Sequence, residues 1–87
     1  MSRCVWKYQL SEPGGQVVQV PRGAKFLHFA NQENGGQCVW AEVDTAEPRE
    51  WVQFRIHGTG QSIPAAGEYV GTLLDGPFVR HLYVVRP

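Results

Sequence analysis

The densest chemistry in this 87-residue chain lies between Trp51 and Gly60, read as Trp-Val-Gln-Phe-Arg-Ile-His-Gly-Thr-Gly. Arg55 and His57 stand two residues apart, so in an extended segment they project from one face, about 7 Å from each other. Gly58 and Gly60 would let a loop backbone approach a ligand and present its N–H groups, and Thr59 adds a hydroxyl. A guanidinium, an imidazole and exposed amides in that order suit a phosphate or another anion. The same residues also suit an ordinary glycine-rich turn after a solvated strand face.

Aromatic residues give the second signal. Trp6, Tyr8, Trp40 and Trp51 offer flat faces that stack on bases or anchor a partner. With Arg55 they would sandwich a nucleobase while the glycine loop holds a phosphate. Filling a small core or a homo-oligomer interface would use the same side chains. The candidate ligand-binding set is therefore Trp6, Trp40, Trp51, Arg55, His57, Gly58, Thr59 and Gly60. Pro21-Arg22-Gly23-Ala24-Lys25 would add two positive charges if it folded near residue 58, and otherwise is a solvated hairpin end. The stretch Asp44 to Glu50 reads as an exposed acidic loop.

Catalytic and metal signatures are missing. Gly60-Gln61-Ser62-Ile63-Pro64 lacks the final glycine of a nucleophile elbow. No Gly-Lys-Ser/Thr follows a strand, and Ile63 stands where a dinucleotide fingerprint needs its third glycine. No Cys-x-x-Cys or His-x-x-x-His spacing serves a metal. His28, His57 and His81 fall on three separate segments and read as independent histidines. Cys4 and Cys38 each stand beside valine and read as small buried hydrophobes. No carboxylate pair is placed for acid–base work. The expectation is a non-enzymatic protein with no cofactor.

The elements that would position these groups are short strands. Ten glycines and six prolines punctuate the chain, and no window of 12 residues keeps a helical period. The expected strands are Cys4–Leu10, Gln16–Val20, Lys25–Ala30, Gln37–Val43, Trp51–His57, Tyr69–Leu74 and Phe78–Arg86. Turns are expected at Glu12–Gly15, Pro21–Gly23, Asn34–Gly36, Ala46–Pro48, Gly58–Gly60, Pro64–Gly67 and Asp75–Pro77. The expected fold is a single all-β domain over residues 1–87, a small sandwich or partly open barrel of about seven mostly antiparallel strands.

Period-2 alternation assigns faces. Val52, Phe54 and Ile56 face inward, with Trp51, Gln53, Arg55 and His57 on the surface. Val39, Ala41 and Val43 oppose Trp40 and Glu42, and Trp6, Tyr8 and Leu10 oppose Val5, Lys7 and Gln9. The last strand is apolar on both faces, which suits a central position or packing on a partner. Pro21 at the end of the second strand suits an edge, and Asp75-Gly76-Pro77 suits a tight hairpin.

Composition bounds the function. Lys and Arg number 8, as do Asp and Glu, so the formal net charge is zero. That argues against general nucleic-acid binding and favours self-association. The start Met1 to Lys7 has no apolar leader segment, and no apolar run is long enough to span a bilayer. The expectation is a cytoplasmic protein with both thiols reduced.

Five short motifs occur in order: Val5-Trp6-Lys7-Tyr8, Pro21 to Leu27, Cys38 to Asp44, Phe54 to Gly60, and Glu68 to Thr72. On these motifs the chain resembles a family of small uncharacterised proteins encoded by bacteriophages and prophages. The resemblance implies an accessory protein in a bacterial host cytoplasm that counters host defence. It would do so by sequestering a nucleotide-type signal at an oligomer interface, or by inhibiting a host defence or regulatory protein. A virion-associated structural role is the third reading.

Overall fold

The computed structural model describes residues 2–11, 15–33, 36–63 and 66–87. Within these lie seven strands: β1 Arg3–Gln9, β2 Gly15–Pro21, β3 Lys25–Gln32, β4 Gly36–Asp44, β5 Arg49–Gly58, β6 Glu68–Asp75 and β7 Phe78–Val85. All pairings are antiparallel, in two sheets of order β1-β4-β3 and β2-β5-β7-β6. The chain is thus an all-β fold as expected, and of the two expected architectures, sandwich and partly open barrel, it is the small sandwich. Expected turns at Glu12–Gly14, Asn34–Gly35 and Pro64–Ala65 lie outside the described residues.

The alternating valines and aromatics build the core. Val52 and Phe54 of β5, Leu82 and Val84 of β7, and Val39, Ala41 and Val43 of β4 are all buried between the sheets. Phe26 meets Phe54 edge-on at 5.2 Å between ring centres, and Tyr8 reaches the same ring at 6.4 Å. Edge-to-face packing of this kind adds to the burial of apolar area. β7 is central, flanked by β5 and β6, which accounts for apolar residues on both of its faces. β2 is an edge strand and ends at Pro21. Gly76 takes a φ of +59° where Asp75 pairs with Phe78, as a two-residue hairpin turn requires.

The two sheets approach most closely where β3 meets β6: a methyl group on Gly71 would sit 3.4 Å from Phe29 Cβ. Arg86, just past β7, fastens that end of the sandwich. It donates to Glu68 at 3.0 Å and to the Ala24 carbonyl at 2.6 Å, lies 3.7 Å from Glu50, and stacks over Phe26. Cys38 is buried and Cys4 exposed, and the two do not form a disulfide with each other. Cys4 therefore departs from the expected burial, because it sits one residue from the end of edge strand β1.

Candidate functional site

The outer face of the four-stranded sheet carries the site. Pairing registers arrange it in rows across the strands. One row holds Gly15, Arg55, Tyr83 and Tyr69, on β2, β5, β7 and β6. The next holds His57, His81 and Thr72. Neighbouring strands lie about 4.8 Å apart and successive rows about 7 Å apart.

A local irregularity creates the second row. β6 shifts register between Tyr69 and Gly71, where Val70 bulges. The extra residue puts Tyr69 and Thr72, three apart in sequence, on the same face. Tyr69 Oη therefore reaches Thr72 Oγ1 at 2.6 Å, and Thr72 Oγ1 lies 2.9 Å from His81 Nδ1. The other ring nitrogen of His81 lies 2.9 Å from Thr59 Oγ1. The result is a chain of polar groups, Tyr69–Thr72–His81–Thr59, that a neutral imidazole satisfies with its protons running in either direction. Tyr83 packs against both Tyr69 (5.5 Å between ring centres) and His57 (5.9 Å).

Arg55 is half-buried beside this aromatic cluster. No carboxylate pairs with it among the described residues; the ion pairs there belong to Arg3, Arg80 and Arg86. Its β2 neighbour is Gly15, which offers no side chain. Glycine is required there: φ is +144°, and a Cβ would stand 2.2 Å from the Phe54 carbonyl oxygen. Arg55 thus has a residue without a side chain on one side and Tyr83 on the other.

His57 corrects one expectation. Its place on the outer face of β5 predicts a solvated ring, yet only 7% of the residue is exposed. The ring packs edge-on against Tyr83, and the chain turns directly after it. Its Nε2 is buried and has no hydrogen-bond partner among the described residues. A buried polar atom in that state is uncommon and costs free energy.

The loop also differs from its expected role. Gly58 to Gln61 form a turn closed by the Gln61 N–H donating to the Gly58 carbonyl at 3.1 Å, with Gly60 at φ +90°. The Gly58 N–H donates to Gln61 Oε1 at 2.8 Å. The Thr59 hydroxyl is held against His81. Two groups expected to receive a ligand are therefore engaged within the protein, and the loop's work is to hold His81.

The tryptophans do not converge. Trp51 is 58% exposed on the same outer face as Arg55, about 13 Å along the strand at its normal rise. Trp40 lies on the outer face of the other sheet, paired across from Lys7 and His28. Trp6 turns inward against the core, with the Arg49 guanidinium 5.0 Å from its ring centre. Arg22 does not approach residue 58 either: its N–H donates to the Pro48 carbonyl, at the opposite end of β5. The structure thus keeps Arg55, His57, Gly58 and Thr59 together, leaves Trp51 at the margin, and separates Trp40 and Trp6. Tyr69, Thr72, His81 and Tyr83 join the site instead. Alternation leaves Tyr83 on one of the two apolar faces of its strand, and only the strand order sets it beside Arg55.

Among the described residues no three His, Cys, Asp or Glu side chains gather as a metal site, and no helix is long and apolar enough to cross a membrane. Fold and face together define a small β-sandwich with a polar, aromatic patch centred on Arg55, which has no ion pair among the described residues. The chain belongs to the DUF7352 family, a domain of unknown function whose model matches residues 1–87. No curated protein and no solved structure matches the chain.

Proposed function

We propose that this protein is a non-enzymatic binding module for a nucleotide-type ligand, held on the outer face of the four-stranded sheet. The observation that carries the reading is Arg55: half-buried, without a carboxylate partner among the described residues, and paired in register with Tyr83. A half-buried guanidinium beside aromatic rings favours an anionic group joined to a flat ring, because charge and stacking act on adjoining parts of one molecule. The buried His57 Nε2, without a hydrogen-bond partner among the described residues, offers a further polar contact to a ligand that displaces Tyr83 slightly. A single sheet face touches a ligand from one side, so a second molecule of the chain completes the enclosure. In the phage setting that the motif resemblance implies, such a module sequesters a nucleotide signal of the host.

Calorimetric titration with a panel of cyclic di- and trinucleotides tests this. Saturable binding of one member is expected, and no heat from any member would remove the proposal. Exposed Val17, Trp51 and Leu74 on the same face favour a second reading, inhibition of a host protein through that face. A pull-down from host lysate that depends on Trp51 would support it over the first.

A further inference from the structure

Two aromatic platforms stand on the outer face of the four-stranded sheet, in different directions from Arg55. Tyr83 is its neighbour across the sheet, with Tyr69 one strand further. Trp51 lies along the same strand and on the same face, about 13 Å away at the normal rise, and is 58% exposed. Its partner on β2 is Gln19. The pairing of β5 with β7 begins only at Gln53, so no strand residue of β7 stands beside the indole. Gln53 is exposed midway between Trp51 and Arg55, and its amide both donates and accepts hydrogen bonds.

Charge on this sheet is already distributed, with one exception. The carboxylates of β2, β5, β6 and β7 are Glu50, Glu68 and Asp75. Glu50 and Glu68 meet Arg86, and Asp75 meets Arg80. The cations of the same strands are Arg49, Arg55 and Arg80. Arg80 is held by Asp75, and Arg49 lies over the Trp6 ring at 5.0 Å. Among the described residues of these strands, Arg55 is thus the cation left for an anion, and one guanidinium suits one phosphodiester.

We propose that the ligand of this face is a dinucleotide, with a bridging phosphate at Arg55, one base on Tyr83 and the other on Trp51. The proposal rests on the nucleotide reading above and narrows it. A mononucleotide whose phosphate sits at Arg55 reaches one platform only. A dinucleotide carries a base on each side of its phosphodiester and engages both, with Gln53 beside the path to Trp51. Stacking on an aromatic side chain serves any base, because every base has a flat face. Linear and cyclic dinucleotides share this unit.

The test is calorimetric titration with AMP and GMP, the linear dinucleotides ApA and GpG, and cyclic di-AMP and cyclic di-GMP. At least one dinucleotide is expected to bind about tenfold or more tighter than the mononucleotide of the same base. Trp51→Ala is expected to cancel that difference, and Trp51→Tyr, which keeps a ring, to retain most of it. Arg55→Gln is expected to weaken every member that binds. Circular dichroism of each variant checks that the sandwich is retained. Mononucleotides that bind as tightly as dinucleotides, and lose affinity with Arg55→Gln, would overturn the dinucleotide proposal and leave the nucleotide reading standing. A dinucleotide preference that survives Trp51→Ala would do the same. No binding by any of the six would overturn both.

Discussion

Arg55 is the residue on which the proposed binding turns, and its lack of an ion pair among the described residues makes its substitution informative. Removing the guanidinium breaks no salt bridge among the described residues, so Arg55→Gln is expected to change stability by no more than about 0.5 kcal/mol. Ligand affinity should fall at least about tenfold, the equivalent of 1.4 kcal/mol, which calorimetry on both proteins would read. Thr72 is a different case. Thr72→Val removes the shared partner of Tyr69 and His81, and a loss of about 1 kcal/mol in urea unfolding is expected. The His81 ring signals should move with it, whereas an unmoved ring would mean that the chain of polar groups is not held in solution. Asp44 supplies a pH signature. Its carboxylate accepts the Ala46 N–H at 3.0 Å and the Ser2 N–H at 3.2 Å, and these bonds hold its pKa below the ordinary carboxylate value. A depressed folded pKa contributes stability above the unfolded value of about 4 and loses it as pH falls through the folded pKa. Asp44→Asn should therefore flatten the acid side of the stability profile below about pH 4, leaving its neutral part parallel to that of the natural chain.

At the scale of elements, the strands themselves were legible because alternation is a local property. Val52, Phe54 and Val39, Ala41, Val43 face inward as their spacing predicts, and the hairpin at Gly76 follows from its dipeptide. Pairing partners were not legible, because strand order depends on contacts far apart in sequence. That is why Tyr83 and Tyr69 entered the site unannounced, and why the bulge at Val70, which aligns Tyr69 with Thr72, could not be foreseen. The burial of His57 has the same origin, since β7 supplies the Tyr83 ring that packs on it. Two positions test how the elements are held. Gly15→Ala meets both a φ of +144° and the Phe54 carbonyl, and a cost above about 2 kcal/mol is expected by denaturant unfolding. Arg86→Ala unties Glu68, the Ala24 carbonyl and Phe26 at once. An expected loss of about 2 kcal/mol follows from charge-assisted bonds; an unchanged midpoint would mean that this end of the sandwich closes without it.

The molecule as a whole explains why the tryptophans cannot act together. A sandwich has two outer faces and one interior, and Trp51, Trp40 and Trp6 occupy one of each. Sequence spacing carries no information on which sheet a strand joins, so three indoles read as one set fall into three environments. The account therefore locates binding on one face, where Arg55, Tyr83, Tyr69 and His81 lie in adjoining rows. Chemical-shift mapping of the labelled protein with the cyclic nucleotides tests that location most directly. The account predicts saturable shifts at Arg55, Tyr69, His81 and Tyr83, with Trp40 and His28 on the opposite face unmoved. Shifts centred on Trp40, or none with any nucleotide, would contradict it.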